Sequence, residues 1–432
     1  MSALSQSTIW MLVRKLGGTV REKKRAAETL AELCDGNPDI RAAIAAASIP
    51  ALVQLLGSRS QADVQERAAG ALMNLADENA VNIAAAGAIP PLEQLLGSGS
   101  PAGVQESAAG ALRSLAWNAE NTVTIAAAGA IPPLVKLLGP DSSADVFIAT
   151  GALVMLTQDA ENTVTIAAAG AIPLLVQLLA DTSLGVPAKA ASVLMNLAVN
   201  AENAVTIAAA GAIPPLVQLL GPGTSPEVQS EAAGTLAKLA DNAENVVTIA
   251  APGAIAPLMK LLRRGSAAGV KAKAAEALWS LAWNAENAVM IAAAGAISPL
   301  VKLLGPSSSA GVHFNATGAL VVLTPDTENT VTIAAAGAIP LLVQLLADTS
   351  LGVPANAAQA LMNLAVNAEN AVTIAAASAI PPLVQLLAST SPHVQQSAAG
   401  ASRSLADNAE NKVTIATAGA IPDLVQLLGA WL

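Results

Sequence analysis

A phrase of the form Ala-Ile-Pro recurs along almost the whole chain, and its period constrains the fold more than any other feature. Its isoleucines follow one another at intervals of 40 to 42 residues. Ala256 and Ser298 replace the proline in two copies, and Ser48 replaces the alanine in another. A fixed period of this length indicates a solenoid, in which each repeat buries its apolar face only against its neighbours. The isoleucines are Ile49, Ile89, Ile131, Ile172, Ile213, Ile255, Ile297, Ile339, Ile380 and Ile421.

Each repeat is predicted to contain three helices. In one representative repeat, Asn200 is placed to cap a short first helix, and Gly211 to end it. Pro214 opens a second helix, where a missing backbone N–H costs nothing. Ser225, followed by proline and glutamate, begins a third helix that runs to about Ala240. The order of these signals predicts an all-α fold.

The composition favours a stacked array over several globular domains. The chain has 432 residues, which is too many for a single compact core. Hydrophobic residues make up 53% of it, yet aromatic residues make up only 2% and tyrosine is absent. The apolar mass is therefore alanine, leucine, valine and isoleucine, which suits closely packed helices.

The repeating unit resembles a known family. A short helix, the segment Gly-Ala-Ile-Pro-Pro-Leu-Val-Gln-Leu-Leu and a long helix are similar to the armadillo repeat of β-catenin, importin-α and the plant and algal armadillo proteins. The resemblance covers about residues 5 to 430. It implies a right-handed superhelical α-solenoid of about ten three-helix repeats. We expect partial capping repeats at residues 1–36 and 409–432 around an array at 37–408.

A second, longer period lies over the first. Residues 131–220 closely match residues 297–387 at an offset of 166 or 167 residues, and Trp117 and Trp283 are separated by the same offset. This offset equals four repeats, so a block of four repeats has been duplicated.

The resemblance implies that the third helices line a concave groove. In that family an asparagine of the third helix hydrogen-bonds the backbone of an extended peptide, since an amide offers a donor and an acceptor together. The positions that match it, which we predict to bind a partner, are Asn74, Asn196, Asn363, Ser114, Ser280, Ser404 and Lys238.

The tryptophan that precedes this asparagine by four residues in importin-α is missing here. Two interpretations of the glycines in its place stay open: a shallow groove that a partner approaches closely, or tight packing between helices. Recognition of import signals by a tryptophan array is not expected. The matching positions carry Gly70, Gly110, Gly151, Gly234, Gly318 and Gly400, or Glu28, Ser192, Glu276 and Gln359.

Two further groups of residues allow more than one interpretation. Trp117, Trp279 and Trp283 are either interface anchors or packing plugs. The glutamate of the recurrent Asn-Ala-Glu-Asn segment is best explained by compensation of the helix dipole, with an acidic ridge as the alternative. These glutamates are Glu120, Glu161, Glu202, Glu244, Glu286, Glu328, Glu369 and Glu410.

Signals of catalysis are absent from the sequence. His313 and His393 lie about 80 residues apart, Cys34 is the only cysteine, and no metal-ligand cluster or phosphate loop is present. We expect no enzyme, no cofactor and no metal, and we expect His313 to be a partly exposed residue without a partner. Pro187 and Pro354 each follow the first valine of a third helix, so these two helices should begin late.

Charge and hydropathy limit the partners and the compartment. The net charge of −10 disfavours nucleic acid. The apolar runs are interrupted by glycine and proline, and no signal peptide is visible, so we expect an intracellular protein of the cytoplasm, or alternatively the nucleus. The main hypothesis is a scaffold that binds a peptide or helix of another protein. The alternative is a rigid spacer that contacts partners through its ends, where Trp10 and Trp431 lie. The oligomeric state stays open.

Overall fold

The fold is all-helical in both halves of the chain. The computed structural model describes residues 6–34, 38–140, 142, 145–251, 253–263 and 265–431, and within them it contains 29 α-helices and no strand. The chain divides into two compact units, Met1–Ala212 and Ile213–Leu432. Each unit is an α-solenoid of three-helix repeats, which confirms the predicted fold class. The predicted boundary of the N-terminal capping repeat, at residues 36 and 37, lies outside the described residues.

We name the three helices of a repeat H1, H2 and H3. The separate H1 helices are α7 (Ala119–Ala127), α10 (Ala160–Ala168), α13 (Ala201–Ala209), α16 (Ala243–Ala250), α19 (Ala285–Ala293), α22 (Thr327–Ala335), α25 (Ala368–Ala376) and α28 (Ala409–Thr417). The separate H2 helices are α1 (Gln6–Lys15), α5 (Ile89–Leu95), α8 (Ile131–Lys136), α11 (Ala171–Leu178), α14 (Ile213–Leu219), α17 (Ile255–Leu261), α20 (Ile297–Leu303), α23 (Ala338–Leu345), α26 (Ile380–Leu387) and α29 (Ala420–Trp431).

The H3 helices are longer, and five of them lie in each unit. In the first unit they are α2 (Val20–Leu33), the first part of α4 (Ala62–Ala85), α6 (Ala102–Leu115), α9 (Val146–Leu156) and α12 (Val186–Leu197). In the second unit they are α15 (Pro226–Ala240), α18 (Ala268–Ala282), α21 (Ala310–Leu323), α24 (Val353–Leu364) and α27 (Pro392–Leu405).

Side-chain caps begin the H1 helices, as predicted. Oδ1 of Asn200 accepts hydrogen bonds from the backbone N–H groups of Glu202 and Asn203, both at 3.0 Å. This satisfies two of the N–H groups that a helix start leaves without partners. The acid of the first turn is exposed in each separate H1, near the positive end of the helix dipole. This exposure fits dipole compensation and an acidic ridge alike, so both interpretations stay predictions. The other caps are Asn118, Asp159, Asn242, Asn284, Asp326, Asn367 and Asn408.

Serine at the end of H1 gives two different outcomes. Ser378 takes the left-handed region with φ of 63° and ends α25, as Gly337 does for α22 with φ of 84°. Ser48 stays helical instead, and its hydroxyl donates to the carbonyl oxygen of Ile44 at 2.7 Å. H1 and H2 of that repeat therefore form one helix, α3 (Pro38–Leu55). Serine in the place of the helix-ending glycine therefore closes H1 in one repeat and not in the other.

A second fusion follows from a shorter sequence. Between Leu75 and Asn79 the chain runs Ala-Asp-Glu, which is two residues shorter than the matching segment from Leu115 to Asn121. The missing residues include the asparagine that caps H1 elsewhere. H3 therefore continues directly into H1, and α4 is 24 residues long.

The core repeats with the sequence. H1, H2 and H3 of a repeat each contribute a large aliphatic side chain with no solvent exposure, for example Ile291, Leu300 and Leu320. Complete burial of such a side chain contributes about 1.5–3 kcal/mol. Pro187 and Pro354 are the second residues of α12 and α24. Both helices begin at the valine before this proline, whereas α15 begins at Pro226, two residues before Val228, so the predicted late start is confirmed.

Consecutive H3 helices pack side by side within each unit, and glycines make room for large side chains. The ring of Trp279 on α18 lies across Gly318 on α21, where an added Cβ would fall 2.7 Å from ring carbons. The same arrangement, with a large side chain one residue before the predicted binding position, recurs in other repeats. The pairs are Met73 with Gly110, Arg113 with Gly151, and Met362 with Gly400. For these glycines the tight-packing interpretation is confirmed.

Gly70 has no such large neighbour. The preceding long helix carries Ala31 at the position that Met73 holds on α4, and no atom lies within 4 Å of a Cβ added to Gly70. Gly70 therefore faces a small residue and open space, so the pairing of a large side chain with glycine seen at Gly110, Gly151, Gly318 and Gly400 is not repeated there.

His313 differs from its prediction. It is buried, with 8% of its surface exposed, and its Nε2 lies 3.1 Å from the carbonyl oxygen of Gly305. Gln105 holds the matching place on α6, and its amide donates to the carbonyl oxygens of the same turn between H2 and H3. His313 therefore serves the structural role that glutamine has in other repeats.

A carboxylate of the next repeat lies beside this histidine. Asp348 Oδ2 is 3.6 Å from His313 Nδ1, and Asp348 accepts a hydrogen bond from the backbone N–H of Ser350 at 2.7 Å. Burial by itself would raise the pKa of Asp348, but the hydrogen bonds from Ser350 and the charge of His313 lower it below its usual value.

Substitution by alanine should have opposite effects on stability at Gly318 and at Gly70. Gly318→Ala should destabilise the chain by about 1–3 kcal/mol, because the new methyl group meets the Trp279 ring. Gly70→Ala should stabilise it by about 0.5–1 kcal/mol, because the helix gains alanine without a clash. Urea unfolding midpoints measure both. If Gly318→Ala lowers the stability as much in a Trp279→Ala background as in the wild type, the clash with the ring is not the cause of the loss.

The lowered pKa of Asp348 predicts an acid-dependent effect. A carboxyl group with a lowered folded-state pKa stabilises the fold above its unfolded pKa of about 3.9, and this contribution is lost as pH falls through the folded value. Asp348→Asn should therefore lower the free energy of unfolding by on the order of 1 kcal/mol at neutral pH and by less near pH 3. Asp181→Asn is the matched control, since Asp181 accepts the same turn bond from Ser183 at 2.6 Å. A loss for Asp348→Asn that is independent of pH would contradict this account.

Candidate functional site

Two of the predicted binding asparagines are held in the same way. Nδ2 of Asn196 on α12 donates to Oγ1 of Thr157 at 2.8 Å, and Nδ2 of Asn363 on α24 donates to Oγ1 of Thr324 at 2.7 Å. Each threonine directly follows the preceding H3 helix and donates its own hydroxyl hydrogen to a carbonyl oxygen of that helix. Each bond therefore links consecutive repeats and fixes the amide before any ligand arrives.

A cavity opens beside each of these asparagines. In the first unit its volume is about 430 Å³, and we call this cavity site 1. In the second unit the volume is about 350 Å³, and we call it site 2. Site 1 is lined by Thr157, Gln158, Ala160, Thr163, Asn196, Val199 and Asn200. Site 2 is lined by Thr324, Pro325, Thr327, Thr330, Asn363, Val366 and Asn367.

An apolar cavity of about 450 Å³ adjoins site 2 and shares Pro325 and Asn363 with it. Trp283 lines this cavity with 72% of its surface exposed, beside Val289 and Val322. The duplicated block places Trp117 at the equivalent position of the first unit, where it is 76% exposed. Such exposed aromatic side chains bind other proteins efficiently, because they bury a large area with few rotatable bonds.

Trp279 lies elsewhere. It is half-buried, covers Gly318 and contacts Phe314 edge-on with 5.4 Å between ring centroids. The structure therefore separates the three predicted tryptophans: Trp117 and Trp283 are exposed at the ends of long helices, and Trp279 packs between two long helices.

The other predicted binding residues are not gathered into one site. Asn74 on α4 donates to the carbonyl oxygen of Ala31 at 3.4 Å and lines a separate cavity with Glu28 and Glu66. Ser114 and Ser404 are half-buried on α6 and α27.

Lys238 and Ser280 belong to a charged network in the second unit. Lys238 Nζ is 3.3 Å from Asp241 and 3.8 Å from Glu276, and the hydroxyl of Ser280 donates to Asp241 at 3.0 Å. These side chains satisfy one another, so this part of the long-helix face differs in chemistry from site 2.

The first unit also carries an acidic patch on its long helices. Burial raises the pKa of Glu106, and the neighbouring carboxylates of Asp145 and Glu66 raise it further.

Sites 1 and 2 contain no ionisable side chain among their lining residues, so their chemistry is that of hydroxyl groups, amides and one valine each.

Sequence reasoning found the asparagines but missed the threonines. Thr157 and Thr324 precede their partners by 39 residues, which places them in the neighbouring repeat. A signal was present: the phrase Ala-Thr-Gly-Ala-Leu-Val, which ends three residues before each threonine, occurs only in the two copies of the duplicated block.

Neither a metal-ligand cluster nor a single membrane-spanning helix is found in the part of the chain that the structure describes. Residues 6–34, 38–140, 142, 145–251, 253–263 and 265–431 contain no group of three His, Cys, Asp or Glu that could hold a metal ion. None of the helices in these ranges is by itself long and apolar enough to cross a membrane. Four pairs of short helices, bent by 84° to 88° at their junctions, reach the required length and composition together.

The sequence profile named Armadillo/beta-catenin-like repeat matches five segments of the chain. They are residues 76–117, 200–241, 284–324, 326–366 and 367–401. Comparison with curated protein sequences gave no match.

Solved structures similar to this chain include three crystal structures of engineered proteins from the Northeast Structural Genomics Consortium. One has a TM-score of 0.81 at 34% identity, and the match covers 92% of this chain and 98% of the other. A second has a TM-score of 0.52 at 31% identity and covers 55% of this chain and 99% of its own. A third has a TM-score of 0.51 at 34% identity, and the match covers 55% of this chain and 96% of the other.

Proposed function

The chain belongs to the armadillo repeat family, and from this premise we propose that it is an interaction scaffold that binds an extended segment of a partner protein along its long helices. Armadillo solenoids are typically protein-interaction scaffolds without enzymatic activity. The observation that carries the proposal is the pair of asparagines that threonines of the preceding repeat hold in place beside open cavities.

The spacing of the repeats suits an extended segment. Neighbouring packed helices lie about 8–10 Å apart, and an extended chain rises about 3.3 Å per residue. A bound segment would therefore advance about three residues from one long helix to the next. The apolar cavity with Trp283 and Val322 could take one of its side chains, while Asn363 bonds its backbone.

Binding of nucleic acid is not part of the proposal. The net charge of −10 repels a phosphate backbone, and the lining of sites 1 and 2 offers no basic side chain. The alternative function, a spacer that works through its ends, draws on the exposure of Trp10 and Met11 on α1, at 61% and 50%.

Replacement of the three asparagines tests the scaffold function. Peptides are selected from a random library displayed on phage, with the full chain as bait. Their affinity for the variant Asn74→Ala/Asn196→Ala/Asn363→Ala should be at least about tenfold weaker, because three backbone contacts are lost. Fluorescence anisotropy of labelled peptides gives the dissociation constants.

Asn82→Ala is the matched control, because Asn82 is an exposed asparagine of α4 outside both sites. It should leave the affinity unchanged. Equal affinity of the triple variant, or a library without any binder, would contradict the proposed function. In that event, self-association that is lost on Trp10→Ser would support the spacer.

A further inference from the structure

The four-repeat duplication has produced two cavities of the same chemistry, one in each unit. We propose that sites 1 and 2 are separate binding sites for the same class of ligand, a short uncharged peptide segment, so that one chain binds two such segments. The inference rests on the proposed function and specifies its ligand and stoichiometry.

Five side chains of site 1 have identical counterparts in site 2. Besides the bond between asparagine and threonine, the second threonine is held alike: Thr163 donates to Ala160 at 2.6 Å, and Thr330 donates to Thr327 at 2.7 Å. The rim valines agree as well, since Val199 is 76% exposed and Val366 is 79% exposed. Two surfaces with the same groups in the same geometry select the same ligand.

The hydrogen-bonding groups of site 1 fit a peptide backbone. Asn196 uses its amide N–H on Thr157, which leaves its Oδ1 as an acceptor. Asn200 uses its Oδ1 to cap α13, which leaves its Nδ2 as a donor. One acceptor and one donor, four residues apart in the sequence, match the N–H and C=O that each residue of an extended segment presents.

Site 2 repeats this arrangement. Asn363 donates to Thr324, and Oδ1 of Asn367 accepts from the backbone N–H groups of Glu369 and Asn370, both at 3.0 Å. The free acceptor of Asn363 and the free donor of Asn367 therefore correspond to those of Asn196 and Asn200.

The absence of charge from both linings determines the ligand class. A charged segment would lose hydration on entering either cavity and find no opposite charge among the lining residues. An uncharged segment with a small apolar side chain meets hydroxyl groups, amides and one valine. The linings differ at two matched positions, where site 1 has Gln158 and Ala160 and site 2 has Pro325 and Thr327. We therefore expect the two affinities to agree within about tenfold rather than to be equal.

The experiment blocks one site at a time. Val199→Lys and Val366→Lys place a charge at the rim of site 1 and site 2, at exposed positions that tolerate lysine. Val413→Lys is the matched control, since Val413 is 63% exposed on α28 and outside both sites. Peptides of about seven residues are selected from a random library on the Val199→Lys chain, so that site 1 does not contribute. Circular dichroism confirms that each variant is folded.

Isothermal titration with a selected synthetic peptide gives the stoichiometry. We expect two peptides per chain for the wild type and for Val413→Lys, one for each single variant, and none for the double variant. The affinity should change less than about threefold between about 50 mM and about 500 mM NaCl, because the contacts are uncharged.

The outcomes separate the two proposals. One peptide per wild-type chain, with loss only in Val366→Lys, would overturn the inference and leave the scaffold function standing. Binding that neither lysine affects, or that weakens steeply with salt, would overturn the inference as well. A library that yields no peptide binding to the wild-type chain would contradict the scaffold function itself.

Discussion

The lateral contact between the long helices of consecutive repeats is the constraint on which the rest of the structure depends. No repeat has enough apolar area to fold alone, so its leucines are buried only when the next long helix covers them. At four places this contact pairs a large side chain with a glycine, as where the Trp279 ring lies across Gly318, whereas Gly70 faces Ala31 and open space. The chain is therefore repetitive in its period and specific in each contact.

The same lateral contact creates the candidate sites. Asn196 and Asn363 are oriented by threonines that belong to the preceding repeat, at 2.8 and 2.7 Å. An isolated repeat would hold either the asparagine or the threonine, but not the pair. Because each site is assembled between neighbours of one unit, duplication of a four-repeat block copied the complete site together with its exposed tryptophan.

The sequence predicted most of the fold because its main signals are local. Caps such as Asn200, the helix-opening prolines and the late start at Pro187 all act within a few residues. The fusion at Ser48 was not predicted, since Ser48 and Ser378 are the same residue type and only the structure shows which one turns. The fusion within α4 was missed although the segment between Leu75 and Asn79 is visibly two residues shorter than its counterpart. Asn196 was found by resemblance, whereas Thr157 was missed because a partner 39 residues away gives no local pattern. His313 was expected to be partly exposed, because no local sequence pattern shows that its ring packs against the turn at Gly305.

Fluorine NMR of the chain labelled with fluorotryptophan tests the central claim most directly, namely that a partner segment binds at the duplicated positions on the long helices. Single Trp→Phe substitutions assign the five tryptophans, of which Trp117 and Trp283 lie at those positions and Trp279 is packed between helices. Upon addition of a selected peptide, the signals of Trp117 and Trp283 should both shift while that of Trp279 stays in place. Saturating peptide that leaves Trp117 and Trp283 unchanged would contradict the account.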